Sequence, residues 1–143
     1  MARSSSRSFV MEFVIFGFVA GFLAVPVFHQ LAQLGLYVTI PGRNFPWNMR
    51  PNALGVPALI NLAFWGGVWG IVFALIQTRF PRGVLYFVLA LLFGAILPTA
   101  FGWYVLAPWR GQPVPAFSIY GPIINGAWGL GTGIIYSLLN RIR

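Results

Sequence analysis

The chain has 143 residues, of which 59% are hydrophobic and only 7% are charged, whereas soluble domains carry about 25% charged residues. This composition excludes a water-soluble globular fold and indicates a single integral membrane domain over residues 1–143. The formal net charge of +8 rests on nine basic residues, all arginines, scattered singly among loops and ends. That scatter argues against nucleic-acid binding and suits anionic lipid head groups.

Residues 9–30 are the first predicted span, because an apolar run of about 20 residues crosses the hydrocarbon core of a bilayer. We expect a span and not a signal peptide, since the run is longer than a signal core and no small-residue cleavage site follows it. Pro26 should kink the outer third of this helix and free a carbonyl group for a neighbour or for water. Gly35 is the expected end of the helix.

Residues 36–56 form the longest polar connection, and their prolines, glycines and asparagines forbid a continuous helix. Tyr37, Phe45 and Trp47 suit the membrane interface, where aromatic rings lie at head-group level. We expect this loop to lie on the membrane surface or to dock onto a partner.

Three further spans are predicted after this loop, at residues 57–77, 84–105 and 118–139. The second span begins at Pro57, a favoured first-turn residue, and the third is interrupted by Pro98 and Gly102. The sequence therefore predicts an all-α, polytopic membrane protein with four transmembrane helices.

Arginine counts predict the orientation of the chain. Six arginines lie in the two tails and in the turn between the second and third spans, and three lie on the other side: Arg3, Arg7, Arg79, Arg82, Arg141 and Arg143 against Arg43, Arg50 and Arg110. Because arginine is enriched in cytoplasmic segments, both termini should be cytoplasmic, in a bacterial inner membrane.

Part of the second span recurs in the fourth. Residues 60–70 and 123–133 both contain Ile-Asn, then Ala, then Trp-Gly, then a second glycine four residues on. The first and third spans each place a glycine four or five residues before a proline. The pattern favours a tandem repeat of a two-helix unit, with units 9–77 and 84–139. The alignment needs a one-residue gap, so chance similarity among glycine-rich helices stays the alternative.

Three pairs of glycines four residues apart predict close packing of helices, since small residues let helix backbones approach each other. The six residues are Gly17, Gly21, Gly66, Gly70, Gly129 and Gly133. A path lined by backbone is the alternative interpretation.

Two titratable residues stand out. Glu12, the only acid, lies near the cytoplasmic end of the first span. It is either a proton or cation site or, as its shallow depth favours, a carboxylate paired with an arginine. His29, the only histidine, is a candidate for binding haem or a pigment or for moving a proton. An interfacial histidine that hydrogen-bonds the outer loop is the favoured interpretation.

Asn61 and Asn125 hold matching places in the two predicted copies, near the outer ends of their spans. They could face each other and define a polar site. The favoured interpretation is interhelical hydrogen bonding, worth roughly 0.6–2 kcal/mol for each residue.

The chain offers no paired carboxylates, Ser-His-Asp set, phosphate-binding glycine loop or metal-ligand cluster, and it has no cysteine. We therefore expect no catalytic residue, no metal site and no enzyme activity. No intrinsic cofactor is expected either. Lipid is the expected ligand, and any contact with pigment, quinone or haem would come through a partner.

The segments FGFVAGFLAVPVFHQ, LAFWGGVWGIVFAL and NGAWGLG resemble small four-span bacterial inner-membrane proteins that carry no assigned activity. The resemblance covers most of the chain and implies membrane location, not mechanism. The chain differs from small multidrug exporters, whose first span carries a deep acid, because Glu12 is shallow.

The leading hypothesis is a non-catalytic accessory subunit of a larger inner-membrane complex of respiratory or photosynthetic type. A small channel or transporter acting as a homo-oligomer is the second hypothesis. A membrane assembly factor, bound only to an intermediate, is the third.

Overall fold

The computed structural model describes the backbone of residues 2–142 and the side chains of residues 8–142. Arg3, Arg7 and Arg143, which the orientation prediction counts, lie outside the described side chains.

Apolar runs with few charged residues form four helical rods, and segments rich in proline and glycine separate them. Helix α1 is Ala2–Ala24, continued by a π-helical turn, Val25–His29, and by Gln30–Thr39; α2 is Ala58–Ile76 with a 3₁₀ turn, Gln77–Arg79; α3 is Val84–Phe101 with a π-helical turn, Gly102–Leu106, and Ala107–Trp109; α4 is Tyr120–Arg141. Outside these helices, the described residues form one isolated β-bridge, between Pro51 and Pro57.

Three of the four rods, α1, α2 and α3, are long and apolar enough to cross a membrane. The chain is therefore an all-helical membrane protein, as its composition predicts. Helix α4 has 22 residues, which is long enough to cross a membrane, but it is the richest in glycine. Its mean hydropathy is therefore lower, and it is not among the three helices that are apolar enough. We call the end that holds residues 40–57 and 110–119 the loop end, and the opposite end the tail end.

Helix α1 does not end at Gly35, so that prediction is wrong. The helix continues to Thr39, whose Oγ1 donates a hydrogen bond to the Gly35 carbonyl at 2.7 Å. Gly35 does not adopt the positive φ of a helix-ending glycine. The chain leaves the helix at Ile40, the residue before Pro41, where proline disfavours helical backbone.

The rods associate as two closely packed pairs, α1 with α2 and α3 with α4. A Cβ atom built on Gly21 would lie 2.8 Å from the Cα of Gly70, and one built on Gly94 would lie 2.8 Å from the Cα of Gly129. Helix α1 also packs along α4, which joins the pairs, whereas α2 and α3 make little backbone contact.

All six glycines of the predicted pairs lie against a neighbouring helix: a Cβ on Gly17, Gly21, Gly66, Gly70, Gly129 or Gly133 would stand less than 3.0 Å from an atom of that helix. The contact register differs from the sequence echo. The echo aligns Gly66 with Gly129, but Gly70 occupies the contact position that corresponds to Gly129. The difference is about one helical turn.

Aromatic rings fill the space between α2 and α3. Phe73 is fully buried, at 0% exposure, and its ring packs edge-on against four others: Phe80, Tyr86, Phe93 and Tyr136. Trp69 likewise packs against Phe93 and Phe101. The two helix pairs are thus held together by side chains here, and a cleft remains between them toward the loop end.

Candidate functional site

The cleft between α2 and α3 is the main candidate site. It has a volume of about 170 Å³. Its walls include three tryptophans and a proline, and two polar side chains reach it from α1 and α4: Trp65, Trp69, Pro98, Trp128, His29 and Asn125. A flat-walled apolar cleft with a few convergent polar groups is the usual form of a small-molecule site.

The π-helical turn of α1 provides a backbone carbonyl that accepts a hydrogen bond from a distant part of the chain. Proline lacks an N–H, so Pro26 disturbs the helical hydrogen-bond ladder. The backbone N–H of Gln30 bonds to the carbonyls of Val25 and Val27. The Pro26 carbonyl, with which that N–H would pair in a regular α-helix, accepts from the indole Nε1–H of Trp47 at 2.8 Å.

Trp47 holds residues 40–57, which we call the outer loop, against this turn. Besides the indole bond, its backbone N–H donates to Oε1 of Gln30 at 2.7 Å. Trp47 adopts a φ of 56°, a left-handed conformation that is uncommon for a bulky side chain. The two hydrogen bonds compensate for that conformation and fix the loop on α1.

Replacing Trp47 by phenylalanine should loosen residues 40–57. The variant keeps the ring but removes the N–H, which leaves the Pro26 carbonyl without this donor at a cost of about 1–3 kcal/mol. We expect backbone amides of the loop, such as that of Gly55, to exchange hydrogen about tenfold faster or more. Trp109→Phe is the matched control, because Trp109 is exposed. Equal exchange in both variants would contradict the assignment.

His29 is 7% exposed, and its protonation pattern follows from the Trp47 contact. A backbone N–H only donates, so Oε1 of Gln30 faces Trp47. Nε2 of Gln30 then faces Nδ1 of His29, at 3.1 Å, and donates to it. The hydrogen of the neutral imidazole must therefore lie on Nε2. Among the described residues, that N–H has no partner, and His29 lines the cleft.

Asn125 and Asn61 are not brought together as a polar pair. Asn125 is half-buried on α4, and its Nδ2 donates to Oγ1 of Thr99 on α3 at 2.9 Å. Asn61 is exposed on α2 and does not line the cleft. Asn125 thus forms the predicted kind of interhelical hydrogen bond, whereas Asn61 faces outward.

Glu12 lies at the tail end, away from the cleft. It is half-buried in a cavity of about 130 Å³. Three other polar side chains line this cavity. Gln77 comes from the tail end of α2, and Tyr136 and Asn140 come from α4. Arg82 and Arg141 line a separate cleft that shares Gln77 and Asn140 with it.

Four residues build the site in roles that the sequence did not predict, although Trp47 was expected at the membrane interface. Gln30 and Trp47 set the tautomer of His29, Thr99 pairs with Asn125, and the indole N–H of Trp128 donates to the carbonyl of Gly21 at 2.9 Å. Pro26 predicts a free carbonyl one turn earlier, on Phe22, because that carbonyl loses its helical N–H donor. It does not predict that the carbonyl of Pro26 itself accepts from Trp47, which lies 21 residues away along the chain.

No family model, curated protein or solved structure matches the chain.

Proposed function

We propose that the protein is a non-catalytic subunit of a larger membrane assembly and that its loop end docks onto another membrane protein. The observation that carries this proposal is a set of strongly exposed apolar side chains at the loop end, in the two loops and at the last residue of α3. Leu54, Trp109 and Phe117 form this set, which we call the docking surface.

Leu54 is presented by a tightly bonded turn. Oδ1 of Asn52 accepts from the backbone N–H groups of Leu54 and Val56, at 2.9 and 3.1 Å. The backbone N–H of Asn52 donates to the Val56 carbonyl at 2.8 Å. Leu54 is nevertheless 87% exposed. A rigid apolar side chain loses little entropy when a partner covers it, which favours binding.

Arginines flank the docking surface and suggest the chemistry of the partner. Arg43 lies over the ring of Tyr120, 4.3 Å from its centroid, which fastens the outer loop to α4. Arg50 and Arg110 are exposed at the same end. Aromatic residues and arginine are enriched in protein interfaces. We infer a partner with an apolar patch bordered by carboxylates.

The placement of the two titratable residues supports a non-catalytic role. The chain has one acid and one histidine. Glu12 lies in the tail-end cavity and His29 in the loop-end cleft. The pair therefore cannot act together as general acid and base without a partner's residues.

A channel or transporter is less well supported. The polar residues of the spans that could line a path are dispersed: Glu12 lies at the tail end, Asn125 in the cleft and Asn61 on the outside. The aromatic cluster around Phe73 fills the bundle between Glu12 and Asn125. An assembly factor would use the same docking surface but would be absent from the mature complex.

We further propose that α4 is a fourth span. Its 22 residues measure about 33 Å at 1.5 Å per residue, and it packs along both α1 and α3. The like contacts of Gly21 with Gly70 and of Gly94 with Gly129 support a tandem repeat. The loop end would then face away from the cytoplasm of a bacterial cell, with both termini in the cytoplasm.

A single-cysteine experiment tests docking and orientation together, because the chain contains no cysteine. Leu54→Cys is treated in spheroplasts with a membrane-impermeant, thiol-reactive photo-crosslinker and irradiated. We expect labelling and a discrete adduct with a larger membrane subunit, and the same subunit should co-purify with the unmodified protein in mild detergent. Val84→Cys, 81% exposed at the tail end, is the matched control and should stay unlabelled.

Two results would refute the proposal. If Leu54→Cys forms adducts only with lipid or only with the chain itself, the loop end does not dock onto another protein. Labelling of Val84→Cys in place of Leu54→Cys would reverse the orientation.

A further inference from the structure

We propose that the cleft between α2 and α3 binds the head group of a prenylated quinol, a six-membered aromatic ring that bears hydroxyl groups and carries a hydrophobic tail. The site belongs to this chain alone. A quinol would thus bind to this chain directly, and not only through a partner as the sequence led us to expect, whether or not the loop end docks.

The size of the cleft restricts the ligand to a single ring. A cavity of about 150 Å³ accepts one benzene molecule, and the cleft measures about 170 Å³. Larger ligands need roughly 300–1,000 Å³, so a haem or chlorin macrocycle does not fit. The open side of the cleft leaves a tail free to extend into lipid, past the half-exposed ring of Trp65.

The walls favour a flat ring. Trp65 and Trp69 contribute aromatic surfaces from α2, and Trp128 contributes a third from α4. Aromatic rings pack well against such surfaces in stacked or edge-on arrangements. A saturated acyl chain would fill the same space without using that preference.

The polar groups favour a hydroxyl. His29 contributes an N–H donor, because Gln30 fixes its tautomer. Nδ2 of Asn125 is engaged by Thr99, which leaves Oδ1 of Asn125 as an acceptor. A hydroxyl group both accepts and donates, so it can satisfy both residues. The carbonyl of an oxidised quinone only accepts and satisfies His29 alone.

Binding can be measured on the purified protein in lipid nanodiscs under anaerobic conditions. The probes are decylhydroquinone, decylbenzoquinone and 1-decanol, added separately, and calorimetric titration gives the affinity of each. A further quinol titration in the presence of decanol measures competition. We expect saturable binding of the quinol, weaker binding of the quinone by severalfold, and no competition from decanol at equal concentration.

Three variants locate the site. His29→Leu should weaken quinol binding about tenfold, the usual effect of one lost hydrogen bond. Trp65→Leu removes a wall that is already half-exposed and should weaken binding without unfolding the bundle. Tyr104→Leu is the matched control, since Tyr104 is an exposed aromatic residue of α3 that does not line the cleft.

The proposal is overturned if quinol does not bind saturably, or if decanol at equal concentration abolishes quinol binding. It is also overturned if His29→Leu and Trp65→Leu both bind quinol like Tyr104→Leu. A folded His29→Leu variant is recognised by an unchanged far-ultraviolet circular dichroism spectrum, and Trp65→Leu decides the question if that variant fails to fold.

Discussion

Replacing Gly21 by alanine should destabilise the bundle, whereas the same replacement at Gly35 should stabilise it. Both glycines lie in α1. A Cβ on Gly21 would stand 2.8 Å from the Cα of Gly70, and a Cβ on Gly35 would meet nothing within 4 Å. In the first case α1 and α2 must separate, at a cost of about 1–3 kcal/mol. In the second case only the helix propensity changes, by up to about 1 kcal/mol in favour of alanine.

Both free energies can be measured by titrating a denaturing detergent into protein held in mild micelles. Tryptophan emission is a suitable signal, because Trp128 bonds to the Gly21 carbonyl. Gly129→Ala and Gly102→Ala repeat the comparison on the other helix pair, since a Cβ on Gly102 also meets open space. Equal effects at Gly21 and Gly35 would show that α1 and α2 are not in backbone contact.

Replacing Phe73 by alanine should lower the stability of the bundle by about 3–5 kcal/mol, the usual cost of removing a buried aromatic ring. Phe73 is fully buried, and its ring contacts rings of α3, α4 and the turn after α2. Because α2 and α3 make little backbone contact, these rings carry much of the attachment between the two helix pairs. Removal of the ring leaves a cavity that helix movement cannot easily close.

Heat unfolding followed by far-ultraviolet circular dichroism measures this loss. Phe64→Ala is the matched control on the same helix; Phe64 is 48% exposed and should cost less than about 1 kcal/mol, because lipid can replace the lost contacts. If Phe73→Ala does not fold, Phe73→Leu keeps most of the volume and should show an intermediate loss. A cost at Phe73 no greater than at Phe64 would contradict the central role of this ring.

Local features of the sequence predict the helices well. Apolar length alone indicates three of the rods, and the glycine pairs mark surfaces that lie against neighbouring helices. Gly35 shows the limit of such rules: the residue type permits a helix end, but the chain stays helical until Pro41 approaches. The helix end is set by Pro41, which disfavours helical backbone at Ile40, and not by the glycine.

The candidate site was less accessible to sequence reasoning because its parts are far apart along the chain. The tautomer of His29 depends on Gln30, which depends on Trp47 in the outer loop. The pairing of Asn125 with Thr99 depends on how α4 lies on α3. The echo between the second and fourth spans gives Asn61 and Asn125 matching positions, but it does not say which helix face meets a neighbour: Asn125 lies against α3, whereas Asn61 is exposed.

The distribution of the six tryptophans has a spectroscopic consequence. Trp65, Trp69 and Trp128 line the cleft, Trp47 holds the outer loop, and the remaining two lie at or near the loop end of α3. The tail-end third of the bundle contains only phenylalanine and tyrosine fluorophores. Tryptophan emission, excited at the red edge of the indole absorption band, will therefore report on the loop end and the cleft. It will not report on the tail end.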